Sequence, residues 1–252
     1  MHIKLNMYEH ETSKPAFDAL AEHVLSDLDI GSAQAQTSIP VLGQYCGIEY
    51  VTAKEDSSHP GFHYLASFSV ADRDVPDGHY QSFIITHVDS AIKNLADLDP
   101  GQHKIGVNYY GSFSGDLNFS AHLNSANKAF PKSSHVMTAS HLGSIQAVMD
   151  RRADCAAIDA LSFALQSKAF PEIADTIAII EKTPAHPGLP LICDPALPNA
   201  IKAEMQKRLI SFQSEPAWQD LAEMLDLRGI TVLDERAFDI ITKRVAQSGW
   251  PD

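Results

Sequence analysis

The chain has little positive charge and little cysteine. Lys plus Arg number 19 against 32 Asp plus Glu, so the formal net charge is −13. An acidic chain without a basic cluster cannot neutralise a phosphate backbone, which excludes nucleic-acid binding. The three cysteines, Cys46, Cys155 and Cys193, cannot all pair within one chain, and the last two stand in apolar runs. This cysteine usage favours a reducing compartment.

Long apolar runs are absent as well. No segment approaches the roughly 20 apolar residues that a membrane span needs, so we expect no membrane insertion. Residues 1–11 contain neither an apolar h-region nor a small-residue cleavage site, and they do not read as a secretory signal. On this pattern we expect either a cytoplasmic protein or one whose leader has been removed.

What the chain does have is the composition of a folded α/β protein. Hydrophobic residues make up 44% and charged residues 20% of its 252 positions, which is typical of a globular chain with one large domain or two small lobes. In the middle, strand-like runs at 104–109, 135–139 and 155–158 are each followed by a helix-like stretch. Such alternation predicts βαβ units and a mostly parallel sheet.

The element pattern divides the chain into two lobes. Residues 1–84 together with 184–252 are expected to form the first lobe, residues 85–183 the second, and two strands cross between them. Two local predictions in the first lobe are less regular. A polar strand candidate begins at Ser32, and Pro40 to Gly47 is predicted to be a short helix that ends at its glycine.

One turn is suited to an anion. After the apolar strand that begins at Ile105, the chain reads Gly-Ser-Phe-Ser-Gly up to Gly115, and a helix is predicted from about Asp116. The first amides of a helix lack partners and carry a partial positive charge, and glycines let a ligand approach the backbone. Ser112 and Ser114 would add hydroxyl donors. The alternative is an ordinary N-capped strand-to-helix turn.

Six short segments stand out together by their order and spacing. They are Gln44-Tyr45-Cys46-Gly47, Tyr80-Gln81-Ser82, Asn108 to Gly115, Ala139 to Ser144, Arg152 to Asp159, and Thr183 to Leu191. In this order they resemble the substrate-binding proteins of phosphonate, phosphite and phosphate ABC importers, a branch of the type II periplasmic-binding proteins. The resemblance covers most of the chain.

The resemblance implies two α/β lobes, each a mixed, mostly parallel sheet flanked by helices, with a hinge of crossing strands and a ligand cleft between the lobes. Ser112, Ser114, Gly115 and the next amide would form the oxyanion cradle. Tyr45, Tyr80, His141 and Asp159 would line the cleft. A periplasmic location and an ABC permease as partner are implied too. We expect a monomer that binds a small anion without catalysis, cofactor or metal.

Four of these residues also have plain structural interpretations. His141 would lie in the first turn of a helix, where the helix dipole favours a neutral imidazole; its ring could equally be satisfied by nearby backbone. Asp159 follows an apolar strand at an edge where α/β folds bind ligands, yet it could simply cap the next helix. If Asp159 faces the anion, the ligand must keep a proton. Tyr80, like Tyr45, could be a packing residue.

Two residues depart from the family pattern. Phe113 stands between the cradle serines, where family members often carry a polar residue, and we count it among the ligand-binding residues. Asp116 falls in the first turn of the anion-binding helix, where a fixed carboxylate would repel a dianion. Plain phosphate is therefore disfavoured. The aromatic side chains near the cradle favour a ligand with an organic substituent.

Other functions remain open at this point. Cys46, His141 and Asp159 have the residue types of a catalytic triad, although nothing around Cys46 resembles a nucleophile elbow. His59 and His63 have helical spacing for a metal, but Pro60-Gly61 breaks the helix that would align them. The same two-lobed architecture also serves sulfonates, pyrimidine precursors and other small polar molecules, so a cytoplasmic sensor is a further alternative.

Overall fold

The computed structural model describes residues 2–30 and 38–250. By its own contacts the chain divides into two units, one formed by Met1–His79 with Pro187–Asp239 and the other by Tyr80–His186 with Ile240–Asp252. The chain therefore passes from unit to unit near residues 79, 186 and 239. The expected lobes ended at 84 and 183 and placed 240–252 in the first lobe; the contacts place that segment in the second unit. The polar strand candidate at Ser32 lies outside the described residues.

The described residues form the following strands and α-helices, in chain order. The strands are β1 (Ile3–Lys4), β2 (Leu42–Gln44), β3 (His63–Val70), β4 (His79–Tyr80), β5 (Ser82–His87), β6 (Ile105–Val107), β7 (His135–Met137), β8 (Cys155–Asp159), β9 (Ile177–Lys182), β10 (His186–Pro187), β11 (Leu191–Cys193) and β12 (Leu227–Thr231). The α-helices are α1 (Lys14–Leu25), α2 (Gly47–Glu55), α3 (Asn118–Ser125), α4 (His141–Met149), α5 (Ala160–Ala169), α6 (Glu172–Thr176), α7 (Asn199–Ser211), α8 (Pro216–Leu225) and α9 (Asp239–Ser248).

The first unit is a mixed sheet with helices packed against it. Its strand order is β1-β2-β11-β3-β12, with β1 and β2 parallel and the other neighbours antiparallel. Helix α1 begins with Pro15 in its first turn and turns a stripe inward that includes Phe17, Leu20 and Val24, all buried. Helices α7 and α8 pack against α1, so this stripe supplies much of the core of the first unit.

The second unit holds a sheet with the order β7-β6-β8-β5-β9. Strand β6 runs parallel to β7 and β8, while β5 is antiparallel to β8 and β9. Along β8 the buried side chains alternate: Cys155 and Ala157 join a core cluster with α3, and Ala156 and Ile158 join a cluster with α4. Both faces of β8 are thus covered, which is why its sequence is continuously apolar up to Asp159.

The structure corrects the helix predicted at Pro40–Gly47. The chain there forms β2, and Gly47 begins helix α2 instead of ending one. Cys46 is the N-cap, and the Glu49 carboxylate accepts a hydrogen bond from the Cys46 backbone N–H at 3.1 Å. Among residues 2–30 and 38–250, none of the helices has both the length and the apolar character of a membrane-crossing segment.

Candidate functional site

The head of helix α3 is shaped by Ser112. Its Oγ accepts hydrogen bonds from the Gly115 backbone N–H at 3.4 Å and from the Asn108 amide nitrogen Nδ2 at 3.0 Å. The next residues, Phe113–Leu117, form one π-helical turn that continues into α3. Ser112 is therefore an N-cap, as one of the two sequence interpretations expected. Beyond the Gly115 amide that it caps, the first-turn amides of Phe113 and Ser114 have no acceptor within the helix.

Gly115 lets two polar side chains approach this turn. A Cβ atom at this position would stand 2.3 Å from Asn108 Oδ1 and 3.2 Å from His141 Cε1. Such distances are too short for a side chain without a rearrangement. Packing therefore requires glycine here, and backbone conformation does not, because the φ of Gly115 lies outside the left-handed region. Without a side chain at this position, Asn108 and His141 lie against the cradle backbone.

His141 is the first residue of α4 and contacts the cradle directly. The turn before it contains Ala139 in the left-handed region, with φ +66°, and the N-cap Ser140, whose Oγ accepts from the Gly143 amide at 2.9 Å. His141 Nε2 lies 3.0 Å from Ser114 Oγ, within hydrogen-bond distance. Burial lowers the pKa of His141 to about 4, so the ring is neutral at pH 7. Among the described residues, its Nδ1 is buried without a hydrogen-bond partner.

Asp159 caps a helix beside the same cradle. Its Oδ1 accepts from the amides of Leu161 at 2.8 Å and Ser162 at 2.9 Å, at the start of α5. The capping alternative is therefore realised. Asp159 also pairs in register with Ser82 of β5, and Ser82 Oγ donates to the Ser114 carbonyl at 3.1 Å. The carboxylate and the cradle consequently share Ser82 as a neighbour.

An aromatic cluster lies next to the cradle. The His186 ring stands edge-on to Tyr80 at 4.1 Å and to Phe113 at 4.5 Å between ring centroids. All three residues are buried. Phe113 thus packs into the second unit while its backbone forms the cradle. The His186 ring lies between Tyr80 and Phe113 and contacts both, so Tyr80 is linked to the cradle by way of His186.

The Asp116 carboxylate has partners other than the cradle. Its Oδ2 accepts from the Gly111 amide at 2.8 Å and its Oδ1 from Ser120 Oγ at 3.4 Å. A cavity of about 410 Å³ in the same unit is lined by Asp116 but not by Ser114, His141 or Asp159. These contacts hold the carboxylate on groups outside the cradle, and its expected repulsion of a dianion stays a prediction.

Tyr45 belongs to the first unit. Its ring stacks on Phe62 at 4.6 Å between centroids, and Lys4 Nζ lies 3.9 Å above it. It lines a cavity of about 350 Å³ together with Glu49 and His59. These contacts all lie within the first unit, so a role for Tyr45 in the ligand cleft stays a prediction from the resemblance.

Three residues of the site were not singled out from the sequence: Asn108, Ser82 and His186. Asn108 and Ser82 stand inside the segments that carry the resemblance, so their position was the available signal. His186 likewise stands inside the segment Thr183 to Leu191. Its part in the site becomes visible through its ring contacts with Tyr80 and Phe113, about a hundred and about seventy residues away in the chain.

The chemistry that this arrangement supports is hydrogen bonding by neutral groups. Ser114 and His141 have the geometry of a nucleophile and a base, but a base whose pKa is about 4 takes up a hydroxyl proton poorly at pH 7. Of the triad candidates, Cys46 belongs to the first unit and His141 and Asp159 to the second, and Asp159 Oδ1 is bonded to two amides. In the described part of the chain, no group of three or more His, Cys, Asp or Glu side chains is arranged to hold a metal ion.

Comparison with known proteins places these observations in context. Residues 42–238 match the family model described as "ABC transporter, phosphonate, periplasmic substrate-binding protein". No curated protein sequence matches the chain.

Solved structures share the fold. A binding-protein component of an ABC phosphonate transporter from Pseudomonas aeruginosa aligns with a TM-score of 0.76 and 16% identity, over 98% of this chain and 85% of that one. PhnD1 from Prochlorococcus marinus in complex with methylphosphonate aligns with a TM-score of 0.67 and 14% identity, over 93% and 83%. A Xanthomonas citri protein bound to ATP gives 0.58 and 14%, over 93% and 82%. At these identities the likeness establishes the two-unit α/β fold and nothing about the ligand.

Proposed function

The chain belongs to the phosphonate family of periplasmic substrate-binding proteins of ABC transporters, and from this premise we propose that it captures a small phosphonate or phosphite. The observation that carries the proposal is the pair formed by Ser114 Oγ and His141 Nε2, 3.0 Å apart at the head of α3. In this proposal the ligand's oxygens take hydrogen bonds from Ser114, Ser112 and the first amides of the helix.

Neutral donors suit such a ligand. The described hydrogen bonds of the cradle involve no Lys or Arg, and His141 is uncharged at pH 7 because burial lowers its pKa. The helix dipole and oriented amides can hold an anion without a full positive charge. A buried donor without a partner costs free energy, and a ligand oxygen that accepts its hydrogen bond removes that cost.

The carboxylate of Asp159 bears on the protonation state of the ligand. It is buried beside Ser82, which itself bonds the cradle backbone. In our proposal a ligand oxygen that keeps its proton donates to Asp159, so the protein prefers a monoprotonated phosphonate or phosphite to a fully ionised anion. The rings of Phe113, Tyr80 and His186 offer an apolar surface for an organic substituent.

We also propose the setting that the family implies. The protein would act outside the cytoplasmic membrane and deliver its ligand to an ABC permease. Capture and release would involve no chemical change, since the Ser114–His141 pair holds a ring that is a weak base at pH 7.

Thermal unfolding with a panel of anions tests the proposal. We expect methylphosphonate and phosphite to raise the melting temperature, because a ligand at a hundred times its Kd adds about 2.7 kcal/mol of stability. Citrate and sugars should leave it unchanged. A flat response to phosphonates, phosphite, phosphate and sulfonates alike would contradict the proposal, and a shift with sulfonates alone would reassign the ligand.

A pair of serine variants locates the cradle. Ser114→Ala should weaken methylphosphonate binding by about ten-fold or more, since a hydrogen bond to a charged acceptor contributes about 1.5–3 kcal/mol. Ser120→Ala, on the next turn of the same segment, is the matched control, because its hydroxyl bonds Asp116. Isothermal titration calorimetry gives both affinities. Equal affinity of Ser114→Ala and the unaltered protein would mean that the cradle is elsewhere.

A further inference from the structure

The second unit contains a cavity that the cradle does not use. It has a volume of about 410 Å³, within the range of small-molecule sites. Its walls come from the turn before α3, from α3 itself, from the segment before β7 and from the residues after α9. The side chains that matter for its chemistry are Tyr110, Asp116, Phe130, Lys132, His135 and Trp250.

The cavity and the cradle lie on different sides of one helical turn. Ser114 and Asp116 are two residues apart, a spacing that directs side chains to roughly opposite sides of a helix. Ser114 bonds His141, whereas Asp116 bonds Gly111 and Ser120. A ligand in the cavity would therefore be separate from a ligand in the cradle.

The cavity has a buried carboxyl group at its wall. Asp116 is only 5% exposed, and in residues 2–30 and 38–250 it forms no ion pair. Its two bonded donors, the Gly111 amide and the Ser120 hydroxyl, are neutral, while an ionised carboxylate offers about four acceptor positions. Burial, the largest effect, raises the pKa of Asp116, while its two hydrogen bonds and the charges of His135 and Lys132 act in the opposite direction. A buried carboxylate of this kind gains from a cation that enters the cavity.

Aromatic side chains line the same cavity. The Tyr110 and His135 rings lie 5.8 Å apart between centroids and tilted to each other, and Phe130 and Trp250 also belong to the lining. The Trp250 ring packs near Gly111, where an added Cβ atom would lie 3.7 Å from Trp250 Cζ2. Faces of Tyr, Phe and Trp rings attract ammonium groups, and Lys132 Nζ already lies 6.0 Å from the Tyr110 centroid at the rim.

The imidazole of His135 stands at the same wall. Both of its ring nitrogens are buried. Burial, the largest effect, lowers the pKa of His135, while the Asp116 carboxylate and a backbone hydrogen bond with Phe130 act in the opposite direction. Lys132 is the one cationic side chain of the lining, and it is exposed at the rim.

From this geometry we propose that the cavity is a second binding site, for a small organic cation that carries an ammonium group and an apolar part. The ammonium group lies at Asp116, and the apolar part packs between Tyr110, Phe130 and Trp250. The chain's formal charge of −13 draws such cations toward it. An anion would face the buried carboxylate and is disfavoured.

Choline and its neutral isostere 3,3-dimethyl-1-butanol test the proposal on the full chain. The two molecules have the same shape and differ by one charge. Titration calorimetry and ligand-observed NMR should detect choline binding, with the neutral alcohol at least ten-fold weaker. No choline binding, equal binding of the alcohol, or binding of benzoate in place of choline would each overturn the proposal.

Three variants test the assigned residues. Asp116→Asn keeps an acceptor for the Gly111 amide and should weaken choline at least ten-fold. Trp250→Ala changes a residue that is 40% exposed, so it should fold normally, weaken choline and leave methylphosphonate binding unchanged. Lys132→Gln removes a competing cation and should strengthen choline. Choline affinity unchanged by both Asp116→Asn and Trp250→Ala, or weakened by Lys132→Gln, would assign the binding to another place.

Discussion

At the scale of single residues, hydrogen bonds and close packing fix the turn that leads into α3. Asn108 and Ser112 support the turn by hydrogen bonds, and Gly115 leaves the space that Asn108 and His141 fill. This is a dense arrangement of polar atoms, two of which, Asn108 Oδ1 and His141 Nδ1, have no hydrogen-bond partner among the described residues. Unpaired buried polar atoms are expected where a ligand or ordered water completes the set.

Gly115→Ala tests this packing. The new Cβ would stand 2.3 Å from Asn108 Oδ1, so either the side chain or the turn must shift, and we expect a loss of about 1–3 kcal/mol in the free energy of unfolding together with weaker methylphosphonate binding. Gly101→Ala is the control, since its Cβ would meet only Asp99 Oδ1 at 3.2 Å. Urea unfolding of both variants gives the comparison. Equal stability of the two would show that the turn tolerates a side chain.

At the scale of elements, three helices of the second unit, α3, α4 and α5, begin at the site. Residues Ser112, Ser140 and Asp159 each accept a hydrogen bond from a first-turn amide of the segment that follows. N-caps of this kind fix where a helix starts and how its first turn is oriented. The side chains that cap these helices are therefore also the ones that position the donors of the site.

Substitutions of Asp159 separate capping from ligand contact. Asp159→Ala should lower the free energy of unfolding by about 1 kcal/mol through loss of the cap, whereas Asp159→Asn keeps the acceptor and should cost much less. If a protonated ligand donates to the carboxylate, Asp159→Asn still weakens methylphosphonate binding. Affinity unchanged in Asp159→Asn would limit this residue to its structural role.

The sequence predicted most elements because their signals are local. Short stretches of sequence are enough to recognise the apolar stripe of α1, the apolar run of β8 and the serine-glycine turn before α3. The prediction of a helix that ends at Gly47 is wrong because a glycine can end one helix or begin another, and here the Cys46 and Glu49 cap begins a helix. Neither His186 nor the direction of the Asp116 carboxylate could be predicted, since the first depends on distant ring contacts and the second on a π-helical turn.

At the scale of the whole molecule, His141 links the site to acid stability. Its pKa is about 4 when folded and about 6.5 when unfolded, so the unfolded chain binds more protons between these values. Stability from this group is therefore complete above pH 6.5 and lost as the pH falls toward 4, by roughly 3 kcal/mol.

The measurement is the free energy of unfolding as a function of pH for the unaltered protein and for His141→Gln, whose side chain does not titrate. The difference between the two curves should change between pH 6.5 and pH 4 in favour of the variant at the acid end, while other titrating groups cancel. Parallel curves over this range would contradict the lowered pKa.

The path of the chain also has a practical consequence. Because it passes between the units three times, β1 belongs to one unit and Ile240–Asp252 to the other. All three natural cysteines, Cys46, Cys155 and Cys193, are buried, so thiol dyes would react first with cysteines introduced at exposed positions such as Glu11 and Lys243. A fluorescent donor and acceptor at these two positions would measure whether their separation changes when methylphosphonate is added.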